Sequence, residues 1–335
     1  MRDDTLNILN RDQQAYQLGA YVQDTWRVFP GLTVTPGLRV AYYDNVGETY
    51  IEPRLAMKFN LTEKLHFKAA YGQFNQFVAR VVNENVTEGA RDFWLLADGE
   101  DVGVQSATHY VAGLSYEMDS WLFDVEAYHK DLSGLTEFSL RFRPTFRDID
   151  ANELFFTGDG IARGLEFLVQ KKTGIYTGWL SYTLSEVEHT FADLNEGEAF
   201  PALQDQLHEF KLVNSIELNE NWLGSLTWTY ASGKPYTAPE SVYDIELIDG
   251  SQQSYIHVSG KNDKRLPNYH RLDVAIQYRF PVGDRAKGNL GFSMFNFYNQ
   301  SNIWYKEFDL SETPVTVTDV GFLGFTPNLS FRVDF

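Results

Sequence analysis

From Pro327 to the end of the chain every second residue is apolar: Pro327, Leu329, Phe331, Val333 and Phe335, with Asn328, Ser330, Arg332 and Asp334 between them. A period of two puts these sets on opposite faces of one strand. The same alternation recurs upstream. In 64–77, Leu65, Phe67, Ala69 and Tyr71 share one face, and His66, Lys68, Ala70 and Gly72 the other. In 271–280, Leu272, Val274, Ile276, Tyr278 and Phe280 oppose Arg271, Asp273, Ala275, Gln277 and Arg279. Thirteen strands are predicted in all: 14–28, 33–44, 50–59, 64–77, 106–118, 121–131, 161–171, 175–187, 208–218, 222–232, 271–280, 289–299 and 325–335. A tilted strand crossing a bilayer needs roughly 9–11 residues, close to these lengths.

The connections carry a second pattern. Six are short: 29–32, 60–63, 119–120, 172–174, 219–221 and 281–288. They alternate with 45–49, 78–105, 132–160, 188–207, 233–270 and 300–324, of which all but 45–49 are long. Greek-key links of a soluble sandwich give loop length no reason to follow parity. A membrane barrel does, with short periplasmic turns and long extracellular loops. The expected fold is therefore all-β, an antiparallel transmembrane β-barrel of about thirteen meander strands over 1–335, with the closing strand ending on the periplasmic side. Trp121, Tyr128, Trp222 and Tyr298 near strand ends fit interfacial girdles. The opposite face holds balanced charges, Asp124 with Lys130 and Arg271 with Asp273, as a wet lumen allows. Pro36 and Pro53 fall inside predicted strands and, lacking a ladder donor, are expected at strand ends or bulges.

Composition narrows function more than fold. Aromatics are 15% of the 335 residues, with 19 Tyr and 25 Phe, and the mean hydropathy is −0.33. No apolar run approaches the roughly 20 residues of a membrane helix, a test a β-barrel escapes. A net charge of −18 argues against nucleic acid, which needs a basic face. Without cysteine there is no disulfide framework or thiolate site. The opening Met1-Arg2-Asp3-Asp4-Thr5 lacks the apolar core of a signal peptide, so the chain is expected to be mature or to begin within a longer protein.

Phrases spread along the chain resemble the C-terminal barrel portion of TonB-dependent outer-membrane receptors, the Bacteroidetes type in particular. They are Gln23-Asp24-Thr25-Trp26, Pro36-Gly37-Leu38-Arg39 followed by Glu52-Pro53-Arg54-Leu55, Lys68-Ala69-Ala70-Tyr71-Gly72-Gln73-Phe74, Gly164-Leu165-Glu166, Gly233-Lys234-Pro235-Tyr236, Arg265-Leu266-Pro267-Asn268-Tyr269-His270-Arg271-Leu272-Asp273 and Phe295-Asn296-Phe297-Tyr298-Asn299. The resemblance implies a 22-stranded barrel around an N-terminal plug, of which this chain would hold the last strands. The plug, the first strands and the segment contacting the TonB complex would lie upstream, leaving the chain inactive alone. It implies an outer-membrane location in a Gram-negative bacterium, lipid and lipopolysaccharide around the barrel, and uptake of a scarce nutrient. A ferric siderophore ranks before cobalamin, glycans and peptides. Leu329, Phe331, Val333 and Phe335 would be read by the barrel-assembly machinery. Two other readings are a passive pore or adhesin with a self-closed barrel, and a soluble all-β carbohydrate-active enzyme.

No catalytic, cofactor or metal site is expected. The seven histidines show no paired ligand spacing. His189 and His208 flank an acidic loop and read best as solvated loop residues. Asp98-Gly99-Glu100-Asp101 lacks the spacing of a calcium loop. Substrate contacts, if made by aromatic and cationic loop residues, fall to Arg91, Phe93, Trp94, Tyr243, Tyr255, Trp304 and Tyr305.

Overall fold

The computed structural model of the protein describes residues 13–85, 89–138, 155–246, 250, 252–257, 260–283, 285–309 and 316–335. Among these, one antiparallel sheet runs through thirteen strands in meander order. They are β1 (Gln17–Gln23), β2 (Leu32–Tyr43), β3 (Glu48–Asn60), β4 (Leu65–Gln76), β5 (Gln105–Met118), β6 (Trp121–Phe138), β7 (Phe155–Lys171), β8 (Tyr176–Phe191), β9 (His208–Glu217), β10 (Trp222–Ala231), β11 (Tyr269–Val282), β12 (Ala286–Phe295) and β13 (Thr326–Asp334). Trp26–Phe29 prolongs the β1 edge along β2, and Phe200–Pro201 pairs with β8. The described residues contain no ladder between β1 and β13, so the sheet is open at both edges.

Register explains why this order forms. Leu114 lies opposite Phe67 and Val125, Val125 opposite Phe167, and Phe167 opposite Tyr182. The row continues through Phe210, Tyr230 and His270. One apolar face thus passes unbroken from strand to strand, and a slip of one residue would turn every side chain of a strand over. Its residues are exposed although apolar, among them Leu114, Phe123, Val125, Leu165, Phe167, Leu180, Phe292 and Phe331. At the short-turn end of this face Trp222 packs on Tyr278 at 4.6 Å, and at the long-loop end Tyr182 packs on His208. Tyr128 departs from the expected girdle. It shares parity with Asp124 and Glu126, pairs with Gly164 and points to the inner face, where Lys130 lies 5.0 Å from its ring.

The inner face is polar and ion-paired. Lys68 meets Asp124 at 2.9 Å and Glu126 at 3.5 Å, and Arg271 meets Asp273 at 3.0 Å. Glu52 is fully buried there. Its carboxylate accepts from Arg39 at 2.8 Å, from Arg54 at 3.3 Å and from the Asn75 backbone N–H at 3.0 Å.

That last bond shows how the prolines are accommodated. Both sit mid-strand, and in each case the missing donor faces a place where a ladder is already interrupted. The β3–β4 ladder stops at Arg54 opposite Gly72, one residue from Pro53, and Glu52 bridges to β4 beyond it. Pro36 faces the break after Gln23, where the Asp24 N–H still donates to the Pro36 carbonyl at 3.1 Å.

The long connections carry structure of their own. Val78–Asn85 pairs with Gly89–Leu96, Ser241–Glu246 with Gln252–His257, and Ile303–Asp309 with Thr316–Gly321. The strands expected over 121–131, 161–171 and 175–187 continue into the neighbouring loops as β6, β7 and β8. The well-buried apolar side chains also collect at this end. Ala79, Val81, Leu95, Val102, Phe138 and Phe155 form one cluster, and Ala41, Tyr43, Phe77 and Ala97 another. The hydrophobic core of this chain therefore packs its long loops against the wall, and the centre of the wall is polar.

Candidate ligand-binding site

The site begins with a bulge. Along β6, Trp121, Phe123, Val125 and Ala127 face outward, so by simple alternation Glu137 would as well. Between the pairs Leu132–Gly160 and Leu135–Gly158 the register shifts, and Ser133 and Gly134 together oppose Asp159. One extra residue reverses the parity beyond it. Leu135 and Glu137 consequently face inward beside His189 and Phe191 of β8. Gly134 makes the bulge possible, with φ of 69° and room for a Cβ only 2.7 Å from the Val104 carbonyl oxygen.

Into this corner the connection between β10 and β11 brings Lys261. Its ammonium is ion-paired with the Glu137 carboxylate, the two side chains being 5% and 12% exposed. The same ammonium lies 4.6 Å from the ring centre of Phe200 and 5.8 Å from that of Phe191. Those rings stack on each other at 6.0 Å, and His189 stands edge-on to both. A cation over aromatic faces is stabilised by the ring quadrupoles, the more so when partly desolvated.

The adjoining segment is fastened by polar contacts. Asn262, almost fully buried, donates through Nδ2 to the Pro201 carbonyl at 2.8 Å and through its backbone N–H to Thr237 Oγ1 at 3.1 Å. Arg265 donates to Asp205 and to the Gly233 carbonyl, and Asp205 accepts from the Val187 N–H at 2.8 Å. Leu266 N–H donates to the Lys234 carbonyl at 2.9 Å. Two long connections are thus tied to each other and to β8.

Beside these contacts lies a cavity of about 550 Å³. Leu132, Leu135, Leu203, Phe191 and Phe200 supply apolar lining; Arg80, Lys234 and Lys261 bring positive charge against, among the described residues, the one carboxylate of Glu137. Such a lining suits an anionic ligand with an apolar or aromatic body: cations for its charge, ring faces for its area.

Of the seven loop residues expected from sequence, the five whose side chains are described, Phe93, Trp94, Tyr243, Trp304 and Tyr305, do not line this cavity. Phe93 packs against the loop core, edge-on to Phe138 at 5.5 Å. Trp94, Tyr243 and Trp304 are exposed on loop hairpins, and Trp304 packs on Tyr305 and Phe322. The Tyr305 hydroxyl donates to Glu307 at 3.1 Å, and this bond to a carboxylate raises the phenol pKa above its usual value. Arg91 pairs with Asn83, and Tyr255 with Tyr243, in their ladders; the side chains of Arg91 and Tyr255 lie outside the described residues. His189 and His208 face opposite sides of the wall, His208 bonding to Tyr182 Oη at 3.0 Å. Asp98 uses one carboxylate oxygen to accept three backbone N–H groups, those of Glu100, Asp101 and Val102, so it holds a turn. Among the described residues no group of three or more His, Cys, Asp or Glu is placed to hold a metal ion. The cavity residues Arg80, Glu137, His189, Phe191, Phe200, Lys234 and Lys261 gave one legible signal, the Ser133-Gly134 pair interrupting an otherwise strand-like run.

Residues 3–299 match the family described as TonB dependent receptor-like, beta-barrel. The chain belongs to this family. No curated protein sequence matches it. Among solved structures, this receptor-barrel chain is similar to a mutant of the ferric enterobactin receptor PfeA from Pseudomonas aeruginosa, with TM-score 0.62, 14% identity, 95% of this chain covered and 45% of that one. It is also similar to FpvAI in its complex with pyocin S2, with TM-score 0.63, 12% identity, 96% of this chain and 39% of that one. For the unliganded ferric citrate transporter FecA the values are 0.59, 14%, 95% and 45%. The receptor-barrel chain spans less than half the length of these proteins. At such identities the likeness is one of fold, and it agrees with the meander order and with the alternation of short turns and long loops.

Proposed function

We propose that the protein forms the closing part of an outer-membrane TonB-dependent receptor in a Gram-negative bacterium, taking up a scarce nutrient as a ferric siderophore or similar anionic chelate. The observation that carries this reading is the cavity at the long-loop end, where Arg80, Lys234 and Lys261 stand beside stacked aromatic rings. The family match supports the receptor class. Proteins of similar fold named as a ferric enterobactin receptor, a ferripyoverdine receptor and a ferric citrate transporter support an iron chelate over other cargo. The work of such a receptor is binding and passage, with no bond made or broken in the nutrient.

In this reading residues 1–335 are one partial barrel unit. The plug, the preceding strands and the segment that meets the TonB complex are supplied upstream in the complete gene product, whose barrel is closed by pairing of β13 with a first strand. The test is growth of an iron-limited strain lacking its own chelate receptors, carrying the complete gene. Rescue by ferric chelates, abolished when TonB is removed, is the expected result. Rescue by glycans or cobalamin with none by any ferric chelate would sink the siderophore assignment.

Leu329, Phe331 and Val333 face the apolar side of β13, with Phe331 opposite Leu290 and Leu329 opposite Phe292, and Phe335 follows the strand fully exposed. We assign these four the role of the terminal signal read by the barrel-assembly machinery. Deleting Phe335 from the complete receptor is expected to lower its outer-membrane level severalfold, measured by immunoblot of membrane fractions. An unchanged level would remove the role from this residue.

A further inference from the structure

We infer that Glu137 and Lys261 form a releasable latch: their ion pair holds residues 260–266 against the wall of the cavity, and an anionic ligand entering the cavity frees that segment by taking over Lys261. The release step rests on the proposal that the cavity binds an anionic nutrient; the latch itself does not.

Three observations lead here. First, the pair joins residues 124 positions apart, one on the wall and one in a loop. Both side chains are nearly buried, 5% and 12% exposed, and removing one partner of a buried pair is far costlier than replacing both. Second, Glu137 reaches Lys261 only because the bulge at Ser133-Gly134 turns it inward. Third, Lys261 both closes the loop and lines the cavity, alongside Arg80 and Lys234. An anion seated among these three cations competes with Glu137 for one of them. The anion replaces the Glu137 carboxylate as counter-charge, so the exchange leaves the lysine paired. The segment is then held by the contacts of Asn262 and Arg265 and by the Leu266 N–H bond to the Lys234 carbonyl.

Hydrogen exchange in the complete receptor, held in detergent micelles, reads the latch directly. The reporters are the backbone N–H of Asn262, bonded to Thr237 Oγ1, and that of Leu266, bonded to the Lys234 carbonyl. Glu137→Gln is expected to speed their exchange by roughly tenfold or more, as loss of one member of a buried pair implies. The double variant Glu137→Leu with Lys261→Met, which replaces both charges by apolar groups, is expected to return exchange to the parent rate. Citrate, used as the anionic probe, is expected to speed exchange in the parent and leave the double variant unaffected, while sodium chloride at equal ionic strength does neither. Parent-like exchange in Glu137→Gln would overturn the latch, and indifference of the parent to citrate would overturn the release. Neither result depends on growth. A latch that opens as expected in a receptor that rescues no iron-limited strain would count against the nutrient assignment alone.

Discussion

Val125→Arg is expected to destabilise the folded wall in a bilayer by roughly 2–4 kcal/mol, the cost of a cationic side chain at the lipid-facing midplane of a barrel. Val125 lies midway along the outward row of β6, which runs Trp121, Phe123, Val125, Ala127 and His129, and it is flanked by Leu114 on β5 and Phe167 on β7. A long cationic side chain there can reach an interface only by bending past two or three strand positions in either direction. On the inner face the same charge costs little, as Lys68 and Arg271 demonstrate with their carboxylate partners. The measurement is urea-dependent folding of the complete receptor into liposomes, with Val125→Leu as the size control. A midpoint for Val125→Arg equal to that of Val125→Leu would show that this face does not meet lipid.

Gly233→Ala is expected to unseat the base of the loop between β10 and β11. A Cβ at position 233 would overlap the carbonyl group of Leu266, and because the obstacle is backbone on both sides no rotamer change relieves it. The neighbouring contacts make the position tighter still. The Gly233 N–H donates to Asn268 Oδ1 at 3.2 Å, and its carbonyl accepts from Arg265, which also binds Asp205. Overpacking of this kind costs roughly 1–3 kcal/mol or more. Since the loop base is fastened to β8 through Asp205, the disturbance should reach the cavity. Limited proteolysis in micelles checks it: cleavage within 233–270 rises at least severalfold, while the rest of the barrel keeps its resistance. Unchanged cleavage would mean that the two backbone segments separate at little cost.

These two positions show what is readable locally and what is not. Val125 takes its outward direction from alternation with Phe123 and Ala127, a pattern present in the residues themselves. Gly233 appeared in the sequence only within a loop phrase, and its close approach to Leu266 is a contact across 33 positions that no local pattern encodes. The cavity lining is hidden from the sequence for the same reason. Trp94 and Trp304 look like recognition groups by residue type and are exposed on loop hairpins, while the cavity is lined by Phe191 of β8 together with Phe200 and Lys261 from two different connections.

By itself the sequence determined the thirteen strands of the wall, the two faces of each and the side to which every connection belongs. Period-two alternation and turn length are local properties, and the closing strand 325–335 carries them to the end of the chain. Tertiary structure decided three further matters. It extended β6, β7 and β8 beyond their expected ends, because their ladder continues past a bulge. It placed Pro36 and Pro53 beside ladder breaks and bridged one of those breaks with Glu52. It also turned Glu137 from the outer face to the inner one, where Lys261 could reach it. Each depends on register between segments far apart in the chain, and a single inserted residue reverses a face without changing the composition around it.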